Sequence, residues 1–262
     1  MIDMGLHPIN DIAYSTYQAR IEKEVKAQPI PQHIAVIMDG NRRYAREILK
    51  TEDINKGHEK GKDKLREVLD WCISLDVRYL TVYAFSMENF SREGSEVNYL
   101  MEILADSLRE FADDSRIHKY KVAVRVIGET DLLPEFVREA IDYAYSKTRG
   151  YSDYYLNLAI AYGGRQDIVS AVRCIAQKVK DGELRVEDID ESIINSSVST
   201  SGLPDPDLVL RTSGEVRISN FLLWQMAYSE LYFTDVYWPG FRYIDLLRAI
   251  RTYQQRSRRF GK

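Results

Sequence analysis

Six short apolar runs alternate along this chain with longer stretches in which apolar residues recur every three or four positions. The runs are His33–Met38, Tyr79–Phe85, Val122–Ile127, Tyr154–Ala161, Leu208–Arg211 and Leu231–Phe233. They are short and mostly apolar, as expected of strands buried on both faces. The stretches between them read as amphipathic helices over 58–75, 96–113, 134–148, 165–180, 220–228 and 243–259. In the first, Leu65, Val68, Leu69, Cys72 and Ile73 share a face; in the fourth, Ile168, Val169, Val172, Ile175, Ala176 and Val179 do. This order predicts an α/β fold, a single domain with a six-stranded, mostly parallel sheet surrounded by helices. In such sheets ligands bind beyond the carboxyl ends of the strands. Functional weight therefore falls on segments that directly follow a strand.

A chain of 262 residues is long enough for one domain with a sizeable core. Residues 1–28 read as an N-terminal helical extension. Tyr14, Tyr17, Ile21 and Val25 fit a short amphipathic helix packed on the body, and Pro29 and Pro31 then break it. The net charge of −4 provides no general attraction to nucleic acid, so a bound anion must meet a local basic cluster. The two cysteines, Cys72 and Cys174, each fall in a helical apolar pattern and are expected to be buried, reduced thiols. The N-terminus lacks the order of a signal peptide and no apolar run is long enough to span a membrane, so a cytoplasmic location is expected.

Three post-strand segments carry chemistry, and Glu230 and His58 are further candidates. After the first strand comes Asp39-Gly40-Asn41-Arg42-Arg43-Tyr44. Gly40 admits a close backbone approach, the arginines can hold phosphate oxygens in pairs, and Asp39 can hold Mg²⁺ against the same phosphates. After the second strand, Ser86, Asn89 and Arg92 recur at three-residue spacing and can converge on one ligand, or merely cap the next helix. After the fifth come Arg211, Arg217 and Ser219, with Ser219 also a candidate N-cap of the helix expected over 220–228. Glu230 stands alone in an apolar and aromatic stretch, so it is either paired or functional. His58 beside Gly57 either touches phosphate or caps a helix. No P-loop and no dinucleotide-binding glycine pattern is present.

The blocks HIAVIMDGNRRYA, LTVYAFSMENFSR, AYGGRQDIV, DLVLRTSGEVRISNFLLWQMAYSELYFTDVYWP and the terminal RRFG resemble, in this order, the cis-prenyltransferases, which include undecaprenyl diphosphate synthase and dehydrodolichyl diphosphate synthase. Arg42-Arg43-Tyr44 resembles the archaeal or eukaryotic variant. The resemblance implies a catalytic domain over 29–262 and a Mg²⁺-dependent extension of an allylic diphosphate primer (farnesyl or geranylgeranyl) with isopentenyl diphosphate. The product would be a long-chain cis-polyprenyl diphosphate, the precursor of a glycosyl carrier lipid.

It also implies roles. Asp39 would hold Mg²⁺ and the primer diphosphate, with Gly40, Asn41, Arg42, Arg43 and His58 around it and Tyr44 beside the substrate. Ser86, Asn89 and Arg92 would line the reaction centre, with Asn89 and Ser86 as candidate proton relays. Arg211, Arg217 and Ser219 would bind the diphosphate of isopentenyl diphosphate. Glu230 would help place Mg²⁺ across a homodimer interface, and Arg259 and Gly261 would reach a partner's site. Peripheral contact with a membrane surface would accompany product release. An arginine that family members place before the Gly-His pair has no obvious counterpart in 46–55, leaving Lys50 or Lys56 as substitutes. Residues 96–111 would line a tunnel, with neighbours on the third and fourth strands. The competing readings are a non-catalytic partner subunit, against which Asp39 and the Arg217-x-Ser219 pair argue, and another phosphate-handling α/β enzyme. Asp113-Asp114 is followed by Ser-Arg-Ile and does not complete the aspartate-rich motif of the trans-prenyltransferases.

Overall fold

The computed structural model describes residues 7–256, and side chains from Tyr14 onward. Six strands form one sheet: β1 (His33–Ile37), β2 (Tyr79–Ser86), β3 (Val122–Ile127), β4 (Tyr154–Tyr162), β5 (Leu208–Arg211) and β6 (Glu230–Phe233). Their spatial order is β3-β4-β2-β1-β5-β6, and every pairing is parallel. The helices are α1 (His7–Lys26), α2 (Asn41–Glu47), α3 (Asn55–Ser74), α4 (Gly94–Asp113), α5 (Ser115–Lys119), α6 (Glu135–Thr148), α7 (Gly164–Lys180), α8 (Glu191–Asn195) and α9 (Tyr243–Gln255).

The β1 sequence HIAVI is buried at every position, because the strand is central and covered on both faces. From β1 the chain builds outward through β2, and later returns to the other side of β1 with β5. The carboxyl end of β1 is thus the switch point where a crevice opens between diverging connections. One face of the sheet carries the larger core, built with α3, α4, α6 and α9. The other face is smaller and holds Ala35, Ile37, Ala159 and Val209 against Phe221, Leu222 and Met226.

Four expectations need correction. Residues 220–228 form successive turns, not a helix. Asn220 and Leu222 take positive φ, 62° and 42°, which a helix excludes. The Asn220 main chain and side chain are instead committed to the turn before α7, accepting from Gly164 N–H (2.6 Å) and Arg165 N–H (2.9 Å). Ser219 is accordingly no helix cap. On α7 the predicted apolar face is only partly inward: Ala171 and Ile175 are buried, while Val169 and Val172 are 48% and 57% exposed. Cys174 is exposed with them, whereas Cys72 is buried and its thiol is pushed up to about 12 by burial.

Helix α1 buries Ile21 and Val25. Tyr14 and Tyr17 stay half-exposed, under the guanidiniums of Arg242 and Arg248. No helix among the described residues is long and apolar enough to cross a membrane.

Candidate active site

Two adjoining polar cavities open at the carboxyl ends of β1, β2 and β5. The larger, about 560 Å³, is lined by Asp39, Ser86, Asn89 and Arg92 on one side and by Arg211, Arg217 and Ser219 on the other. The second, about 380 Å³, is lined by Gly40, Arg42, Arg43 and Arg46, and shares Met38, Asp39, Asn41, His58 and Arg92 with the first. A single 3₁₀ turn over Met87–Ser91 brings Ser86, Asn89 and Arg92 to the lining of the first cavity.

Asp39 leaves β1 at the boundary of the two cavities. Its carboxylate accepts from Arg211 Nη2 at 2.8 Å and from Arg43 Nη2 at 3.5 Å. Arg211 is itself buried. Its Nη1 donates to the Arg217 carbonyl (2.6 Å) and to Ser219 Oγ (2.7 Å), while its Nε has no partner. α2 starts at Asn41, so the N–H groups of its first turn have no acceptor within the helix and add positive potential at the same place. Asn89 Oδ1 accepts from Ser86 N–H at 2.9 Å. This commits the amide oxygen to the turn and leaves its nitrogen as the group available to a ligand, so Asn89 fits a positioning role better than that of a base.

Two residues beside these cavities were not anticipated from the sequence. Glu96, at the start of α4, is 6% exposed. Its carboxylate accepts from Arg92 (2.9 Å), meets His58 Nε2 (3.3 Å) and lies 3.8 Å from Arg42. A buried acid thus gathers three phosphate-facing side chains. Burial lowers the His58 pKa, with Glu96 opposing, so the imidazole is neutral near pH 7. The signal for Glu96 was present: it continues the face of Leu100, Leu104 and Phe111 at helical spacing, and an acid in an apolar stripe needs a partner. Arg46 was also missed; it lines the second cavity, whereas neither Lys50 nor Lys56 does.

Other predicted residues are placed elsewhere. Tyr44 does not line either cavity and turns its ring toward Gly240. Glu230 begins β6, at the opposite end of the sheet from Asp39, and pairs with Arg256 at 2.7 Å. Arg259 and Gly261 lie outside the described residues.

Beside the polar cavities a narrow apolar cleft runs between α3 and α4. It is lined by Gly61 and Leu65 of α3, by Leu100, Leu104 and Phe111 of α4, and by Leu158 of β4. Met38, Asn41 and His58 border both the cleft and the cavities. Among the described residues β4 contributes to this cleft and β3 does not, a correction to the predicted lining.

No group of three or more acidic, histidine or cysteine ligands is assembled among the described residues. Asp39 instead offers one accessible carboxylate beside a phosphate-sized basic cradle. That donor set fits Mg²⁺, which is commonly held by one or two carboxylates together with substrate phosphates.

A family model described as "Putative undecaprenyl diphosphate synthase" matches residues 37–261. Two archaeal relatives bear the name tritrans,polycis-undecaprenyl-diphosphate synthase (geranylgeranyl-diphosphate specific). That of Pyrococcus abyssi is 53% identical over 250 residues, 95% of this chain and 94% of its own. That of Thermoplasma volcanium is 51% identical over 254 residues, 97% of this chain and 98% of its own. Among solved structures, lavandulyl diphosphate synthase from Lavandula x intermedia, in complex with dimethylallyl diphosphate, superposes with a TM-score of 0.83 at 37% identity, over 91% of this chain and 100% of that one. With the fold, the post-strand motifs and these matches in agreement, the chain belongs to the cis-prenyltransferase (undecaprenyl diphosphate synthase) family.

Proposed function

We propose that this protein extends geranylgeranyl diphosphate with successive isopentenyl diphosphate units to give a long-chain cis-polyprenyl diphosphate, the precursor of a glycosyl carrier lipid. One observation carries the reading: two basic cavities meet at Asp39, and an apolar cleft opens beside them. Two diphosphates and one hydrocarbon tail are what such a reaction must hold. The primer used by the archaeal relatives, by their names, is geranylgeranyl diphosphate.

The primer diphosphate sits among Gly40, Asn41, Arg42, Arg43, Arg46 and His58, with its tail in the α3–α4 cleft. Isopentenyl diphosphate is held by Arg211, Arg217 and Ser219, which places its double bond near the allylic carbon. The allylic C–O bond breaks, the double bond attacks the resulting cation-like carbon, and the C2 proton passes to an oxygen of the released diphosphate. Arginines and backbone N–H groups preorganised around the leaving diphosphate stabilise its charge without reorganising during the step. Mg²⁺ held by Asp39 would supply further charge neutralisation on the same phosphates. Ser86 and Asn89 orient the reacting ends.

The active unit is a homodimer. In support, exposed Val169 and Val172 give α7 an unpartnered apolar face, and Glu230 lies too far from Asp39 of its own chain to serve the same metal. The N-terminal helix is an extension packed on the catalytic domain.

The test is a product assay with labelled isopentenyl diphosphate, Mg²⁺ and geranyl, farnesyl or geranylgeranyl diphosphate, sized by reversed-phase chromatography. A ladder of cis-polyprenyl diphosphates, best primed by geranylgeranyl diphosphate and abolished by EDTA, is expected. No incorporation by a folded dimer would favour the partner-subunit reading.

A further inference from the structure

The turn that carries Ser219 is strained. Ser219, Asn220 and Leu222 take φ of 47°, 62° and 42°, and Ser213 on the same loop takes 78°. Residues with a β-carbon are uncommon in this region, and each such position persists only where its surroundings over-determine it. Part of the restraint is visible at the site itself: Arg211 binds Ser219 Oγ, and Asn220 Nδ2 donates to Glu88 Oε1 (3.0 Å) and Gln166 Oε1 (3.1 Å).

A further restraint comes from one residue of the sheet. Tyr83 on β2 is in register with Ile37 of β1 and Ala159 of β4, and its side chain borders the larger cavity. Its ring stacks on Phe221, with centroids 4.6 Å apart and planes 16° from parallel. Its hydroxyl stands between two carbonyls, Tyr162 O at 3.1 Å and Ser219 O at 3.4 Å. A single hydroxyl proton thus serves the turn after β4 and the strained turn together, while the ring fixes the next residue from below. The strand just beyond Tyr83 is irregular in its pairing with β4, around Ala84 and Phe85, so Tyr83 is the last β2 residue before that irregularity.

We propose that Tyr83 is a positioning residue for the isopentenyl diphosphate site: it holds the Ser219–Phe221 turn, and through it Ser219, Arg211 and Arg217, in the geometry that receives a diphosphate. This rests on the reading that those three side chains bind isopentenyl diphosphate. Tyr83 acts through the turn and carries no proton in the reaction.

The experiment is steady-state kinetics of Tyr83→Phe, which keeps the ring and deletes the hydroxyl, beside Phe221→Leu, which keeps the hydroxyl and weakens the stack. Loss of one such hydrogen bond should raise the KM for isopentenyl diphosphate about fivefold, with kcat and the KM for the primer unchanged. Phe221→Leu should move the same constant in the same direction. A residue that only packs the core would lower the melting temperature and leave both KM values alone, and that result overturns the proposal. So does an equal rise in both. Arg217→Ala separates this from the underlying reading. If it raises the KM for isopentenyl diphosphate while Tyr83→Phe does not, Tyr83 has no positioning role. If Arg217→Ala leaves that KM normal, the loop is not the isopentenyl diphosphate site and both fail.

Discussion

At Gly40 the backbone takes φ of +105°, and a β-carbon there would lie 2.9 Å from the Tyr237 ring and 3.0 Å from Ser213 Oγ. Gly40→Ala therefore meets both an unfavourable dihedral and a clash, and should cost about 1–3 kcal/mol, read as a lower midpoint in urea. A midpoint equal to wild type would refute the fit. Asp39 faces two guanidiniums and both cavities. Asp39→Ala should cut turnover by about 10²-fold or more, as for loss of a preorganised charge stabiliser, and near-normal kcat would remove it from the proposed machinery. Glu96 has a different signature. Glu96→Gln keeps the shape but withdraws the charge that gathers Arg92, Arg42 and His58. It should raise the primer KM more than that for isopentenyl diphosphate, because all three side chains line the second cavity while Arg42 does not line the first.

At the scale of elements, α3 and α4 set what the apolar cleft can hold. They are tied on their outer edge by Lys62 and Arg66 to Glu110 and by Tyr99 to Glu59. Exposed pairs of this kind contribute little and yield readily, so the helices can part as a chain grows between them. Ser107 is a small polar residue on the cleft wall, between Leu104 and Phe111. Ser107→Phe should fill that space and shift the product ladder to shorter polyprenyl diphosphates, measured by chromatography. An unchanged ladder would move the length-setting position elsewhere. The two helices follow from the sequence almost to the residue, since their apolar periodicity is strong. Their ends diverge from the 58–75 and 96–113 estimates by only a few positions.

For the whole molecule, stability has a pH dependence rooted far from the site. His33 is buried at the amino end of β1, bonded to Thr81 Oγ1 (2.7 Å) and the Pro204 carbonyl (2.7 Å), and Asn157 donates to the same Thr81. Burial lowers its pKa from 6.5 to about 4. The unfolded chain thus takes up this proton first as pH falls. The stability is complete above about 6.5, declines towards pH 4 and loses at most about 3 kcal/mol. Urea midpoints should fall between pH 7 and pH 4.5, and less so in His33→Gln. An identical slope in that variant would assign the loss to other groups. At the same scale, Val172→Glu should dissociate a dimer built on the α7 face, as light scattering would report.

The strand–helix alternation and the post-strand motifs were legible in the linear chain because both are local. A buried strand needs an apolar run, and a phosphate cradle at the end of β1 needs glycine, amide and guanidinium within a few residues. Helix α7 misled because periodicity reveals an apolar face without saying what covers it. Residues 220–228 misled because their apolar content suits a helix, while the left-handed Asn220 and Leu222 and the ties to Gly164 and Arg165 impose turns. Glu96, Arg46 and Tyr83 needed the tertiary structure. Their importance lies in which side chains, from segments up to about 136 residues away, share one space. Sequence by itself determined the fold class and the chemistry of the cradle; only the packing of the sheet and helices decided which charges meet, because pairwise contact across long loops leaves no local pattern to read.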